Sequence, residues 1–309
     1  MTGKSFRHLA GVWSATPTPF NEDMTIDTDA VQRLVEHHVR LGVKGLFLAG
    51  TCGEGAWMPT HDLRTLVRSV SQCAAGRLAI AVQVTDNSAA RILDNINAAA
   101  EDGAEIAVIA PPYFLLNSTP ENIVKLYRGA IQGSALPVGV YDRGKAGAVV
   151  VPDEALGPIY AEENVVMVKD SSTDPGRRDI ALAARQQRPE LLLLDGDEFH
   201  CVEYLRAGYD GLLLGGGIFN AHIAGQIIQA VADGDAERAQ ELQARMNRLM
   251  YDVYGGEQIT CWLAGLKKLL VDMGIFGTWQ HYLNYPLTDE CRQAIARALE
   301  QDADILLPS

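Results

Sequence analysis

The chain has 309 residues, 48% hydrophobic and 21% charged, the balance of a folded globular protein rather than a disordered or fibrous one. Its formal net charge of −13, with no run rich in Lys or Arg, argues against nucleic acid as a partner, because binding to a phosphate backbone needs a basic face. Residues 1–10 contain no apolar stretch long enough for a signal peptide or a membrane span, so the expected location is the cytoplasm, with no membrane partner.

In chain order, residues 11–16 form the first of a series of short apolar, β-branched runs that read as strands. A helical pattern follows over residues 28–41, with Val31, Leu34, Val35 and Val39 on one stripe, and then a second strand over 45–49. Strands at 78–84 and 106–110 bracket a helix at 89–100, whose apolar stripe is Ile92, Ile96 and Ala99. Further strands are expected at 137–141, 165–169, 191–195 and 211–214, each followed by a helix. Continuous apolar strands covered by helices imply a parallel sheet buried on both faces, and eight such units predict an α/β fold, a (β/α)8 TIM barrel over residues 1–232. A doubly wound open sheet is the alternative. Residues 221–232, 235–254, 260–272 and 288–303 then read as helices with no strand between them, a C-terminal helical region (233–309) expected to pack on the barrel, since no flexible linker separates the two.

In such a barrel the functional groups sit at the C-terminal ends of the strands. Lys169 closes the apolar run Val165-Val166-Met167-Val168. Desolvating an ammonium favours the free amine, which attacks carbonyls; a strand-end lysine reaching out to solvent is the competing reading. Tyr141 ends the preceding strand, within reach of Lys169 if it points inward, and could shuttle protons, although a strand-end tyrosine also serves as packing. The turn Gly50-Thr51-Cys52-Gly53-Glu54 can present consecutive backbone N–H groups to a carboxylate. No histidine is placed to activate Cys52, which argues against a thiol nucleophile.

Asp195-Gly196-Asp197-Glu198 ends the seventh strand with groups able to bond sugar hydroxyls, or Asp197 and Glu198 merely cap the next helix. Leu213 and Gly215, at the end of the eighth strand, count as further substrate contacts, and Gly215-Gly216-Gly217 is either a phosphate cradle or, as the lack of nearby Lys or Arg favours, a loop that gives space. Five cysteines (Cys52, Cys73, Cys201, Cys261, Cys291), odd in number and never in a C-x-x-C pair, argue against disulfides and a zinc site and are expected as reduced, mostly buried thiols. Neither H-E-x-x-H nor a dinucleotide fingerprint is present, so no metal or organic cofactor is expected.

Several segments occur together in one order: Ala15-Thr16-Pro17-Thr18-Pro19-Phe20, Gly42-Val43-Lys44-Gly45, the turn from Gly50 to Glu54, Pro111-Pro112-Tyr113, Tyr141, and Val168-Lys169-Asp170. In this combination the chain resembles, over nearly its whole length, the family of dihydrodipicolinate synthase and N-acetylneuraminate lyase, class I aldolases and dehydratases on a (β/α)8 barrel. The resemblance implies Lys169 as the imine-forming residue, Tyr141 as proton shuttle, the Thr51–Cys52 backbone as the pyruvate-carboxylate site, and a homotetramer built from dimers.

Departures from the family pattern bear on the substrate. Cys52 stands where members with a Gly-Thr-Thr-Gly-Glu turn have a second hydroxyl, which leaves Thr51 as the only hydroxyl there. Phe114 stands where the synthases have a tyrosine that completes a relay across a subunit interface. Asp142-Arg143-Gly144-Lys145-Ala146-Gly147 differs from the synthases' Asn-Val-Pro-x-Arg-Thr-Gly, and Arg143 followed by small residues is closer to keto-deoxy sugar acid dehydratases. Ser171 lies where sialic-acid lyases place a hydroxyl. The expected function is therefore a Schiff-base lyase acting on a 2-keto acid, in particular a 2-keto-3-deoxy sugar acid. Dihydrodipicolinate synthase and N-acetylneuraminate lyase are the alternatives. A silent keto-acid-binding barrel is opposed by the joint presence of Lys169 and Tyr141, because a binder needs no imine former.

Overall fold

A computed structural model describes residues 6–306. Eight parallel strands, β1 (Val12–Ala15), β2 (Gly45–Leu48), β3 (Ala79–Gln83), β4 (Ile106–Ile109), β5 (Val138–Asp142), β6 (Val165–Asp170), β7 (Leu192–Asp195) and β8 (Gly211–Leu214), pair in sequence order. Closure is made by β8 against β1, with Trp13 in register with Leu213, so the open sheet is ruled out. Almost every strand residue is buried, as expected for apolar strands enclosed on both sides.

The helices α1 (Thr28–Leu41), α2 (Thr60–Ala74), α3 (Ala89–Glu101), α4 (Pro120–Gly133), α5 (Asp153–Tyr160), α6 (Pro175–Gln187), α7 (Cys201–Ala207) and α8 (Gly217–Ala232) follow the strands one by one. Their ends are set locally. For α1, Asp27 Oδ1 accepts from Ala30 N at 2.9 Å and Gly42 closes the helix at φ 74°. Its buried face includes His37 and His38, and His37 Nε2 lies 2.8 Å from Ile218 O. Burial pushes the two imidazoles down to about 4 and about 3, so both are neutral packing residues.

The start of α8 differs from the expectation. The sequence pattern begins at Ala221, but the helix starts at Gly217, directly after β8. A Cβ at Gly217 would stand 2.8 Å from Ser14 Cα, so close packing on β1 holds in helical form a glycine-rich segment that intrinsic propensity disfavours. Strands β5 and β6 each run one residue further than read, to Asp142 and Asp170.

Beyond the barrel, α9 (Ala236–Tyr254) packs along α8 and supports α10 (Trp262–Asp272) and α11 (Asp289–Gln301), with α12 (Ala303–Leu306) returning to α8. Their apolar faces, among them Met246, Leu249, Leu266 and Ile295, are continuous with the barrel core. Among the described residues no helix is long and apolar enough to cross a membrane.

Candidate active site

Lys169 and Tyr141 stand in register on β6 and β5, so two adjacent strands deliver them to the same height. Lys169 is only 5% exposed. Its Nζ lies 4.3 Å from the centroid of the Tyr141 ring and 5.1 Å from that of Phe47, whose ring meets Tyr141 edge-on at 5.8 Å. The amine is thus held inside the mouth of the barrel and does not reach out to solvent. Gly196 makes room for it: a Cβ there would stand 2.1 Å from Ser171 Oγ and 2.9 Å from Lys169 Cε.

The Tyr141 hydroxyl has the Thr51 and Ser171 side chains beside it. Burial alone would push this phenol up, but the positive charges of Lys169 and Arg143, helped by those two polar side chains, hold it below its usual value. A buried phenol with an eased deprotonation, beside two hydroxyls and an amine, can carry protons to and from a group bound at Lys169.

Thr51 and Cys52 line the cavity from the turn after β2. Burial, reinforced by the Glu198 carboxylate, pushes the Cys52 thiol up to about 12, so it is held as the thiol; its Sγ lies 3.7 Å from Gly215 O. The turn is braced by Glu54, which has a left-handed φ of 59° and is fully buried. Lys267 Nζ, equally buried on α10, donates to Glu54 Oε1 at 2.5 Å and to Gln280 O at 2.8 Å, while Tyr282 N donates to Glu54 Oε2 at 2.6 Å. Nothing in the sequence pattern signalled this ion pair, whose partners are 213 residues apart.

Arg143, Ser171, Glu198 and Gly215 line the same cavity of about 800 Å³. Glu198 is held by Gly216 N at 2.7 Å and Tyr254 Oη at 2.9 Å. Burial pushes its carboxyl up in spite of these donors. The glycine turn that could have cradled a phosphate therefore gives the Gly216 amide to a carboxylate of the chain itself. Asp197 is not in the cavity wall: its Oδ2 pairs with His200 Nδ1 at 2.9 Å. Gly50 and Leu213 also lie outside the wall, Gly50 against the Phe47 ring and Leu213 buried within β8.

The outer wall was not anticipated. Tyr254, Gln258, Ile259, Thr260, Trp262 and Tyr285 reach the cavity from α9, α10 and the segments that follow each of them, with Trp262 and Tyr285 edge-on at 5.4 Å. Their only sequence signal was a cluster of aromatic residues in a region read as packing. Among the described residues, no group of three or more His, Cys, Asp or Glu is placed to hold a metal ion.

A parallel barrel with a lysine amine buried in its mouth beside a phenol fits an enzyme of the lyase type that forms an imine with its substrate. The chain belongs to the Dihydrodipicolinate synthetase family, whose model matches residues 8–302. It is similar to the 4-hydroxy-tetrahydrodipicolinate synthase of Xanthomonas campestris, 31% identical over 66% of this chain and 67% of the relative. It is also similar to the N-acetylneuraminate lyase of Rhizobium meliloti, 28% identical over 78% of this chain and 79% of the relative. Among solved structures, the dihydrodipicolinate synthase of Bacteroides thetaiotaomicron superposes with a TM-score of 0.85 at 25% identity, covering 96% of this chain and 99% of that one. One relative is named a synthase and another a lyase, so membership leaves the substrate to be argued from the cavity.

Proposed function

We propose that this chain acts on a 2-keto-3-deoxy sugar acid through an imine between Lys169 Nζ and the C2 carbonyl. The amine adds to C2 and water leaves, giving an iminium that accepts electrons from the adjacent carbon. Either the C3–C4 bond then breaks, releasing an aldehyde and, after protonation at C3 and hydrolysis, pyruvate, or a proton leaves C3 and the C4 hydroxyl departs as water. Tyr141, through Thr51 and Ser171, moves the protons; the Thr51–Cys52 turn receives the carboxylate; Arg143, Ser171 and Glu198 face the hydroxylated tail.

The observation that carries this reading is the buried Lys169 Nζ, 4.3 Å from the Tyr141 ring centroid, in one cavity with the polar Ser171 and Glu198. Condensation of pyruvate with aspartate semialdehyde, the second reading, is favoured by relatives such as the Xanthomonas synthase. Against it stands Phe114, which has no hydroxyl to complete a relay. For assembly we infer a homotetramer built from two dimers, supported by the apolar Phe114 and Leu116, 62% and 88% exposed on the β4–α4 loop. Five free cysteines support a reducing, cytoplasmic location.

Borohydride added with pyruvate is expected to leave one reduced adduct on Lys169 in the mass spectrum and none in Lys169→Ala. The substrate is read from a panel of 2-keto-3-deoxy sugar acids, sialic acid, and pyruvate with aspartate semialdehyde. A kcat/KM for the semialdehyde above that for every sugar acid would overturn the substrate and leave the imine standing. An adduct that persists in Lys169→Ala would overturn the imine assignment.

A further inference from the structure

Asp142, Asp170 and Asp195 end three adjacent strands and form one row across them, Asp142 in register with Asp170 and Asp170 with Asp195. All three are buried. Each uses Oδ1 in the same way: Asp142 accepts from Gly144 N at 2.8 Å, Asp170 from Ser172 N at 2.9 Å and Asp195 from Asp197 N at 2.7 Å. A side-chain oxygen that takes the N–H two residues ahead bends the backbone into a tight turn, so one device, repeated, turns three consecutive loops out of the barrel.

The residue at the centre of each turn is Arg143, Ser171 or Gly196, and all three line the Lys169 cavity. The turns are also tied to one another, since Ser171 N donates to Asp142 O at 2.9 Å and Gly196 N to Asp170 O at 2.7 Å. Displacement of one turn is therefore passed to the next. At the Gly196 turn there is no slack: its Cα faces both Ser171 Oγ and Lys169 Cε so closely that even a methyl group would collide with them. Ser171 in turn stands beside Tyr141 in the cavity wall and helps to lower its phenol.

The second carboxylate oxygens lack this regularity. Asp170 Oδ2 takes the Tyr209 hydroxyl at 2.6 Å, while Asp142 Oδ2 and Asp195 Oδ2 have no hydrogen-bond partner among the described residues. Arg177 Nη1 joins Gly144 N on Asp142 Oδ1, at 2.7 Å. The common element is one acceptor oxygen per residue, not a charge. Burial also pushes the Asp195 carboxyl well above the usual carboxylate range, and an amide at this position keeps the acceptor oxygen without a charge.

We propose that Asp142, Asp170 and Asp195 are a row of positioning residues that aims Arg143, Ser171 and the Gly196 gap at the substrate bound to Lys169, and that Asp195 does this with a single acceptor oxygen. The proposal rests on the imine reading above. The test compares Asp195→Asn, which keeps the acceptor, with Asp195→Ala, which removes it, on the best substrate of the panel. Asp195→Asn is expected to hold kcat within about twofold. Asp195→Ala is expected to lose about 10- to 100-fold in kcat, the scale of a misplacement of about 1 Å, while KM changes little, circular dichroism stays native and borohydride still traps one pyruvate per chain. Equal kcat in the two variants, or an Asn variant as impaired as the Ala variant, would overturn the proposal. If Asp195→Ala does not fold, Asp195→Val takes its place: it fills the buried site without an acceptor, and a kcat equal to that of Asp195→Asn overturns the proposal as well. Failure of wild-type trapping would instead remove the imine reading, while the contrast between the Asn and Ala variants still decides the role of the row.

Discussion

The cavity has two walls built on different principles. On the barrel side, Tyr141 and Lys169 are set at one height by the β5–β6 ladder, Ser171 follows directly from β6, and Thr51 sits in the turn after β2. On the outer side, Gln258, Ile259 and Thr260 sit in the connection between α9 and α10, far from any barrel strand in sequence. Their backbone includes Ile259 at φ 52°, a left-handed conformation that a β-branched residue rarely adopts and that the surrounding packing must enforce. The reacting groups thus stand on rigid elements, and the outer wall stands on a segment held by tertiary contacts. The chemical step and the substrate choice should be separable by mutation.

The largest expected break falls on the barrel wall. Tyr141→Phe should lower kcat by about 100- to 10,000-fold, the usual worth of a general acid–base group, with the protein still folded. Rapid-quench kinetics of imine formation would show the loss in proton-transfer steps, and a kcat within threefold of wild type would remove Tyr141 from the mechanism.

Next comes the tie between the walls. Lys267→Met leaves Glu54 buried without its counter-ion, and stability should fall by about 3–5 kcal/mol in urea titrations, the cost of breaking a buried pair from one side. Adding Glu54→Leu to that variant should restore much of the loss, since both charges are then gone. No recovery in the double variant would mean that the hydrogen bond from Tyr282 N, and not the pairing, is what Glu54 provides.

The smallest effect is expected on the outer wall. Gln258→Ala should raise KM for a long-chain keto-deoxy sugar acid by less than about tenfold, in the range of one lost hydrogen bond, with kcat and pyruvate trapping unchanged. A drop in kcat as large as that of Tyr141→Phe would show that the two walls are not separable.

Much of this organisation was readable from strand patterning. Short apolar runs alternating with amphipathic helices announce a barrel because each strand must bury both faces, and a lysine and a tyrosine at the ends of consecutive runs fall side by side once the strands pair in parallel. The ends of β5 and β6 were read one residue short because aspartate is depleted in strands, and so the row formed with Asp195 stayed hidden.

The sequence by itself determined the order of strands and helices, the strand-end positions of Lys169 and Tyr141, and the turn that carries Thr51 and Cys52, since all of these follow from local periodicity and turn chemistry. Only the tertiary structure decided that Glu54 is paired with Lys267, that Glu198 occupies the Gly216 amide, and that α9, α10 and the segments after them close the cavity. Those outcomes depend on where helices distant in sequence come to rest against the barrel. Each is an optimum of packing and of charge burial over the whole chain, and no local pattern encodes it.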